Sequence, residues 1–436
     1  EFNYIRNRLL SISSTFEGKN LILNLKPTSN ELEVQSLLNE TFEAINAIHC
    51  NGAFPISELS DFSLWIKKLK SNSSLNTKGL LDLCSILKIS RELLDYYKSV
   101  SLTIQLDTLN PYFSSLYSNK DVEAKISTAI VSEDIIADEA SKELYFIRKT
   151  KKILENEVKQ KLNSLIHSSS YSKYIMDTVV TIRSGRFVIP VKEEYKSFIK
   201  GFIHDTSSSG STVYIEPMAV FEINNKINDL IIKENKEIEK ILENLSNLLI
   251  PLVNYLEEDI FLILKLDFIS SKAKLAIDMD ATMPILSNEI NLIKARHPLI
   301  PKDKVVPINI YVGNSFSTLV ITGPNTGGKT VSLKTVGLLC LMAQSGLFIP
   351  ANENSKVKVF DNIFADIGDK QSIEESLSTF SGHMTNIVDI TKNVTSKSLV
   401  LVDELGSGTD PIEGANLALA LLEYFHKKKA ITVATT

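Results

Sequence analysis

The sequence predicts a multidomain fold with an all-α core, long lever helices around a small β-rich clamp, and a C-terminal α/β domain. Three observations support this fold class. Apolar residues recur at intervals of three and four over most of residues 1–286, as they do in helices. The pattern changes to β-branched runs between residues 178 and 215. Beyond residue 317, buried-strand patterns alternate with helical ones, which is typical of α/β domains.

Bulk composition limits the class of protein. A chain of 436 residues is too long for one ordinary hydrophobic core, and its 44% apolar and 23% charged residues are typical of soluble globular proteins. The cysteines at 50, 84 and 340 lie far apart, which indicates reduced thiols in a cytoplasmic protein. No apolar run is long enough for a membrane span, so no membrane association is expected. The net charge of −5 argues against a uniformly basic nucleic-acid binder, although a local basic patch remains compatible with it.

Proline positions and changes of period divide the chain. The helical pattern that follows Pro217 would extend for ~48 Å, which is longer than a compact domain needs. It pairs with an earlier helical run at residues 133–167, and together they predict two antiparallel arms; an ordinary large bundle is the alternative. The predicted division is a helical core at 1–120, ascending lever helices at 121–170, a β-rich clamp at 171–217, descending lever helices at 218–286, and an α/β domain at 287–436.

The segment between the arms reads as a small β-domain. Two β-rich runs surround Ser184-Gly185, which predicts a hairpin, and residues 198–203 and 212–215 predict two further strands. Between residues 171 and 202, basic residues outnumber acidic ones by three. Such a patch suits contact with a nucleic-acid backbone, although surface lysines can also serve solubility alone. The predicted nucleic-acid contacts are Arg183, Arg186, Lys192 and Lys196.

Residues 323–330 read Gly-Pro-Asn-Thr-Gly-Gly-Lys-Thr, a full match to the phosphate-binding loop G-x-x-x-x-G-K-[ST]. A predicted strand at 317–322 precedes it, and a predicted helix at 331–345, stopped by Gly346, follows it. Lys329 is expected to reach the β- and γ-phosphates, and the Thr330 hydroxyl is expected to bind Mg²⁺. The predicted nucleotide-binding residues are Gly323, Pro324, Asn325, Thr326, Gly327, Gly328, Lys329 and Thr330.

A second motif supplies carboxylates for the same chemistry. Residues 398–404 form an apolar β-type run that ends in Asp403-Glu404. Asp403 is expected to hold Mg²⁺ together with Thr330, and Glu404 to orient or deprotonate the attacking water. Glu404 and Lys329 are therefore the predicted catalytic residues.

A third motif predicts a partner subunit. Residues 374–383 read Glu-Glu-Ser-Leu-Ser-Thr-Phe-Ser-Gly-His, a Ser-rich turn that opens a helix and can bind an anion. A second anion site on a sheet that already has a phosphate loop fits a nucleotide held by another subunit, although a plain helix cap is the simpler alternative. The loop at 406–411 would face that partner. His297 and His383 are predicted to be hydrogen-bonded structural residues rather than metal ligands.

These motifs resemble those of the MutS family of ABC-type ATPases. Within the family, the chain is similar to the recombination-suppressing endonuclease branch, MutS-two, because of the Ser-Leu-Ser-Thr-Phe-Ser sequence at 376–381, the segment at 204–217, and a helical start without mismatch-reading or connector domains. The matching segments are residues 322–330, 343–350, 376–384 and 403–411, with Arg296-His297-Pro298 upstream.

The resemblance implies a homodimeric clamp that uses ATP and Mg²⁺. ATP hydrolysis would be coupled to binding of mismatched or branched DNA and to suppression of recombination. By position, Ser378, Ser381 and Gly382 would approach the γ-phosphate of the partner subunit. The sequence is expected to be a piece of a longer chain, truncated in its ATPase domain and without the family's small C-terminal nuclease domain.

Two other functions share these features. A ribosome-associated ATPase that binds rRNA and splits collided ribosomes would have the same motifs, and the sequence leaves DNA or ribosome open as the partner. A chromosome-maintenance ATPase of the SMC type also has long arms. In that class the arms separate the two ATPase halves, whereas here they precede one contiguous domain, so this alternative is disfavoured.

Overall fold

The computed structural model describes residues 1–59, 61–324, 327–368, 376–407 and 410–436, and gives the backbone alone for residues 376–381. It has a mixed α/β, multidomain fold, as the sequence predicts. Two compact units are present. Unit 1 comprises Glu1–Asp61, Ile89–Ser118 and Glu258–Thr436, and unit 2 comprises Phe62–Lys88 and Asn119–Glu257. The finer five-part division stays a prediction.

Helices account for most of the first 280 residues, and three further α-helices lie in the described part of the chain beyond them. They are α1 (Phe2–Ile12), α2 (Gly18–Leu23), α3 (Glu31–Asn51), α4 (Ser63–Lys70), α5 (Thr77–Ser101), α6 (Asn110–Ser114), α7 (Lys120–Ala129), α8 (Lys142–Ile166), α9 (Met218–Leu249), α10 (Val253–Asp278), α11 (Lys329–Gln344), α12 (Ser376–Asn393) and α13 (Pro411–Lys427). No helix in this described part of the chain is both long and apolar enough to cross a membrane.

The strands fall into three four-stranded sheets and one short hairpin in the described ranges. They are β1 (Ile130–Ser132), β2 (Ile135–Ile136), β3 (Thr181–Arg183), β4 (Arg186–Lys192), β5 (Gly201–Thr206), β6 (Thr212–Pro217), β7 (Ile285–Leu286), β8 (Ile290–Ala295), β9 (Ile308–Val312), β10 (Thr318–Ile321), β11 (Lys356–Val357), β12 (Asn362–Asp366), β13 (Ser398–Val402) and β14 (Ile431–Thr435).

A parallel sheet in unit 1 positions the candidate site. Its order is β10-β14-β13-β12, and all three pairings are parallel. Every residue of β13 and β14 is buried, which explains why both strands read as apolar runs without alternation. Because the strands are parallel, the residues that follow β10, β12 and β13 meet at one edge of the sheet. A mixed sheet in the same unit, β7-β11-β8-β9, shares its hydrophobic core.

Helix α11 runs from the phosphate loop to the helical part of unit 1. It ends one residue before Ser345, as the sequence predicts from Gly346, whose φ is +71°. The Thr41 hydroxyl in α3 donates to the Gly346 carbonyl at 2.7 Å, and the Gln344 amide donates to the Thr28 and Phe360 carbonyls at 3.0 and 2.9 Å. A Cβ at Gly346 would overlap Leu37 in α3, so the close approach requires glycine.

Unit 2 contains the two arms and the clamp sheet. The Ser141 hydroxyl, at the start of α8, donates to Glu237 of α9 at 2.8 Å, and Arg148, further along α8, donates to the earlier residue Glu234, so the two helices are antiparallel, as predicted. The predicted helical run from residue 133 begins instead at Lys142. The hairpin of β1 and β2 occupies residues 130–136, and Ser141 caps α8 by accepting from the Leu144 amide.

The clamp sheet has the antiparallel order β3-β4-β6-β5. The predicted hairpin at Ser184-Gly185 is confirmed: both residues have positive φ, 51° and 75°, and they join β3 to β4. The strand predicted at 198–203 lies instead at Gly201–Thr206, because a 3₁₀ helix covers Glu193–Phe198.

A polar residue interrupts the apolar stripe of α9. Glu234 accepts a hydrogen bond from the Arg148 Nε of α8 at 2.8 Å and another from the Lys151 Nζ. Glu234 stands where the three-and-four spacing of α9 calls for an apolar residue. Its carboxylate instead links α9 to α8 through the charges of Arg148 and Lys151.

Candidate functional site

The phosphate loop has the backbone geometry that its glycines permit. Gly323 has φ 139° and Gly328 has φ 77°, values that side-chain-bearing residues rarely adopt. Gly328 is the N-cap of α11, which begins at Lys329. Gly328 thus leads the loop directly into the N-terminal end of this 16-residue helix, a position that favours an anion. Asn325 and Thr326, also predicted to bind nucleotide, lie outside the described residues.

Lys329 lies at the mouth of this loop. Its side chain is buried, with 7% of the residue exposed, and its Nζ donates to the Gly323 carbonyl at 2.5 Å and to the Thr436 oxygen at 2.7 Å. Both acceptors are main-chain oxygens. The ammonium group is thus held next to the loop that the sequence assigns to phosphate.

The structure brings Thr330 and Asp403 together although 72 residues separate them in the chain. The Thr330 hydroxyl donates to Asp403 Oδ2 at 2.7 Å. The Thr435 hydroxyl donates to Asp403 Oδ1 and accepts from the Glu404 amide at 2.8 Å. Sequence reasoning missed Thr435; its position at the end of an apolar strand was the available signal.

These groups fit Mg²⁺ in their donor chemistry. A hydroxyl and a carboxylate provide hard oxygen ligands, and Mg²⁺ is commonly held by one or two carboxylates together with substrate phosphates. Thr330 and Asp403 would be the protein ligands. Glu404 follows directly, in a left-handed conformation with φ 46°, and lines the same cleft as Thr330 and Asp403.

A further carboxylate lines this cleft. Asp366 ends β12, the strand next to β13, and its side chain is 8% exposed. His383 Nδ1 lies 3.0 and 3.1 Å from the two Asp366 carboxylate oxygens, and the Asn386 amide donates to Oδ1 at 3.0 Å. The prediction that His383 is hydrogen-bonded is confirmed. Asp366 was missed because its importance depends on which strands are neighbours.

Residues 376–383 of the Ser-rich motif lie within α12, which begins at Ser376, rather than in a turn before it, and residues 374 and 375 lie outside the described part of the chain. The side chains of Ser378 and Ser381 lie outside the described part of the chain, and Gly382 is exposed. Their contact with a partner's γ-phosphate stays a prediction.

An apolar pocket adjoins the phosphate loop on its other side. It is lined by Ile300, Val305, Val306 and Val331, together with Gly327 and Gly328 of the loop. Val306 is 77% exposed, which is unusual for a valine. Sequence reasoning had not identified this pocket.

In unit 2, the Arg186 side chain binds other residues of the same unit. Its guanidinium donates to Glu216 Oε1 at 2.8 Å and to Asn225 at 2.7 Å. Glu216 is fully buried and also contacts His204 Nε2 at 2.6 Å and the Asn224 amide at 2.8 Å. Arg186 thus has a structural role that the sequence did not indicate, and its contact with nucleic acid is not tested.

The other predicted clamp contacts are more accessible. Arg183 lies 4.4 Å above the Tyr214 ring and pairs with Asp205 at 3.2 Å. Lys196 pairs with Glu193 at 2.5 Å, and about half of its side chain is exposed. Lys192 Nζ reaches the Lys173 carbonyl at 3.4 Å. These pairs are near the surface, where ion pairs are weak and can be exchanged for phosphate contacts.

Comparisons with known proteins agree with the motifs. Residues 319–436 match the family model for MutS domain V. Over its whole length, the chain is 46% identical to the endonuclease MutS2 of Acetivibrio thermocellus and to that of Ruminiclostridium cellulolyticum, and it covers 55% of each. It is also 46% identical to the endonuclease MutS2 of Clostridium perfringens SM101, of which it covers 56%. The chain thus spans about half the length of the curated relatives it matches. The resemblance inferred from the sequence is confirmed: the chain contains a match to MutS domain V and is similar throughout its length to MutS2 proteins.

Proposed function

We propose that this chain binds and hydrolyses ATP as part of a MutS-type, DNA-binding ATPase. The observation that carries the proposal is the 2.7 Å hydrogen bond between Thr330 and Asp403. Two motifs that are distant in sequence supply, at one point, the hydroxyl and the carboxylate that phosphate hydrolysis with Mg²⁺ requires.

Each residue has a chemical task in this proposal. The loop amides and the Lys329 ammonium bind and neutralise the phosphates. Thr330 and Asp403 hold Mg²⁺, which offsets the charge that develops on the phosphoryl oxygens. Glu404 orients the attacking water or takes its proton. Ser378, Ser381 and Gly382 of a second copy would complete the site, so the functional form would be a homodimer.

The proposed partner of unit 2 is DNA, mismatched or branched, with suppression of recombination as the outcome. Supporting it are the excess of basic residues between 171 and 202, the surface-exposed pairs of Arg183 and Lys196, and the name endonuclease carried by the MutS2 relatives. Hydrolysis would change the affinity of the clamp for DNA.

Substitution of Lys329 tests the nucleotide site. Lys329→Ala is expected to lower ATP affinity at least about 100-fold, since it removes the buried ammonium beside the loop. The measurement is ATP titration by calorimetry. Lys334→Ala is the matched control, because it removes the same charge from the same helix but pairs with Glu1 instead. Unchanged ATP affinity in Lys329→Ala would contradict the assignment of this loop as the nucleotide site.

Competition between ligands tests the partner. At matched salt, four-way-junction DNA is expected to bind more tightly than collided ribosomes, and Arg183→Ala with Lys196→Ala is expected to weaken DNA binding and its salt dependence. A preference for ribosomes would overturn the DNA assignment and leave the nucleotide site standing.

A further inference from the structure

Asp366 is connected by its backbone to the proposed metal ligand. It is the last residue of β12, paired in parallel with Val402 of β13. The amide of the next residue, Asp403, donates to the Asp366 carbonyl at 2.9 Å. The position of Asp403 is therefore fixed from one side by Thr330 and Thr435 and from the other by the backbone of Asp366.

The side chain of Asp366 is connected to α12. Because a carboxylate only accepts, His383 Nδ1 must be the donor in its 3.0 Å contact with Oδ1. The Asn386 amide donates both to Oδ1 and to the Ala365 carbonyl, at 3.0 and 3.1 Å. His383 and Asn386 are three residues apart and so share one face of the helix. This face of α12 is thus held at two points by the end of β12.

The His383 ring also packs against backbone. A Cβ at Gly368 would lie 2.8 Å from its Cε1 and Nε2 atoms. The absence of a side chain at Gly368 leaves space for the ring while Nδ1 reaches Asp366. The histidine is therefore held on two sides, which is more than a surface ion pair would provide.

We propose that Asp366 is a positioning residue that couples α12 to the Thr330–Asp403 pair through His383 and Asn386. The inference rests on the proposed function, since α12 begins with the residues assigned to a partner's nucleotide. Gly382 immediately precedes His383. A shift of the start of α12 is transmitted to Asp366 and hence to Asp403. Displacements of about 1 Å can cost about 10²-fold in rate, so hydrolysis depends on how α12 is held.

Steady-state kinetics of the whole protein test this coupling. Asp366→Ala and His383→Leu are each expected to lower kcat about 10- to 100-fold, while ATP affinity stays within about threefold, because the phosphate loop is untouched. The double variant is expected to be no slower than the slower single one, since both changes break the same connection. His383→Asn places an amide N–H where Nδ1 lies and is expected to recover most of the rate.

The controls separate the possible outcomes. Asp389→Ala removes an exposed carboxylate of α12 that bonds Asn393 of the same helix, and it should leave kcat unchanged. If Asp366→Ala fails to fold, Asp366→Asn is used in its place. The asparagine side chain keeps one of the two acceptor oxygens. Losses that multiply in the double variant, or a normal kcat in Asp366→Ala, would overturn the coupling. A wild-type protein that binds no ATP would instead overturn the proposed function.

Discussion

Asp403 in unit 1 and Glu216 in unit 2 are both carboxylates near the end of a buried strand, but their partners differ in kind. Glu216 is fully buried and contacts the Arg186 guanidinium, His204 and the Asn224 amide. Among the described residues, the hydrogen-bond donors to the Asp403 carboxylate are two hydroxyl groups, from Thr330 and Thr435. The protein therefore supplies a cation for Glu216, whereas Asp403 receives neutral donors.

The difference separates a structural carboxylate from the one that we propose as a metal ligand. A buried charge with a cationic partner is stable in the folded protein, and removing one member leaves the other uncompensated. A carboxylate that receives hydrogen bonds from neutral hydroxyl groups, as Asp403 does from the described Thr330 and Thr435, keeps its charge available for a metal ion. A carboxylate group thus stabilises the fold in unit 2, and a carboxylate group in unit 1 fits a metal ion in its donor chemistry.

Asp403→Asn tests the carboxylate that we propose as the metal ligand. We expect ATP hydrolysis to fall about 10³-fold, because an amide is a poor Mg²⁺ ligand, while the free energy of unfolding changes little. Phosphate release and denaturant unfolding measure the two effects. Asp361→Asn, an exposed change at the start of β12, serves as control. A large loss of stability with normal hydrolysis would assign Asp403 to the structural class.

Glu216→Ala tests the structural carboxylate of unit 2. We expect a loss of about 3 kcal/mol in the unfolding of unit 2, because Arg186 loses its buried anion and Asn224 and His204 lose an acceptor. Urea unfolding followed by circular dichroism measures it, and ATP affinity should not change. Glu194→Ala, an exposed carboxylate of the same unit, is the control. Loss of ATP binding without loss of stability would contradict the contrast.

Alkaline pH should act on unit 1 through Lys272. This lysine of α10 is fully buried, 3.9 Å from Glu40, and burial lowers its pKa from 10.5 to about 8. The charged form is thus disfavoured in the folded state, so the free energy of unfolding should rise by roughly 3 kcal/mol as pH increases from 8 to 10.5. Lys272→Met should remove this rise. An identical pH profile in the variant would show that the lysine is hydrated in solution.

Acid pH should act on unit 2 through Glu234. Burial raises its pKa, but hydrogen bonds from Lys151 and Arg148 and their charges outweigh it, so the pKa lies below the ordinary 4.5. A lowered carboxylate pKa gives stability that is present above pH 4.5 and lost as pH falls through the folded value. We expect about 1 kcal/mol, which Glu234→Gln should remove. Acid titration followed by circular dichroism checks it; a variant with unchanged acid sensitivity would refute the assignment.

The sequence predicted local features better than the arrangement of strands. The phosphate loop, the Ser184-Gly185 hairpin and the end of α11 at Gly346 depend on neighbouring residues, and each was found where expected. Asp366 and Thr435 were missed because their roles arise from the order β10-β14-β13-β12, which pairs strands distant in the chain. No local pattern encodes that order. Arg186 shows the converse: a basic residue in a basic segment faces an anion of its own protein.

Helix α11 has a further consequence through the contact at Gly346. The helix is a rod of about 24 Å whose first residue is Lys329 and whose far end is pinned to α3 by Thr41 and by the contact with Leu37. With its far end fixed, the helix resists displacement of Lys329 along the helix axis. The absence of a side chain at Gly346 is what allows the close contact with α3 that fixes this end.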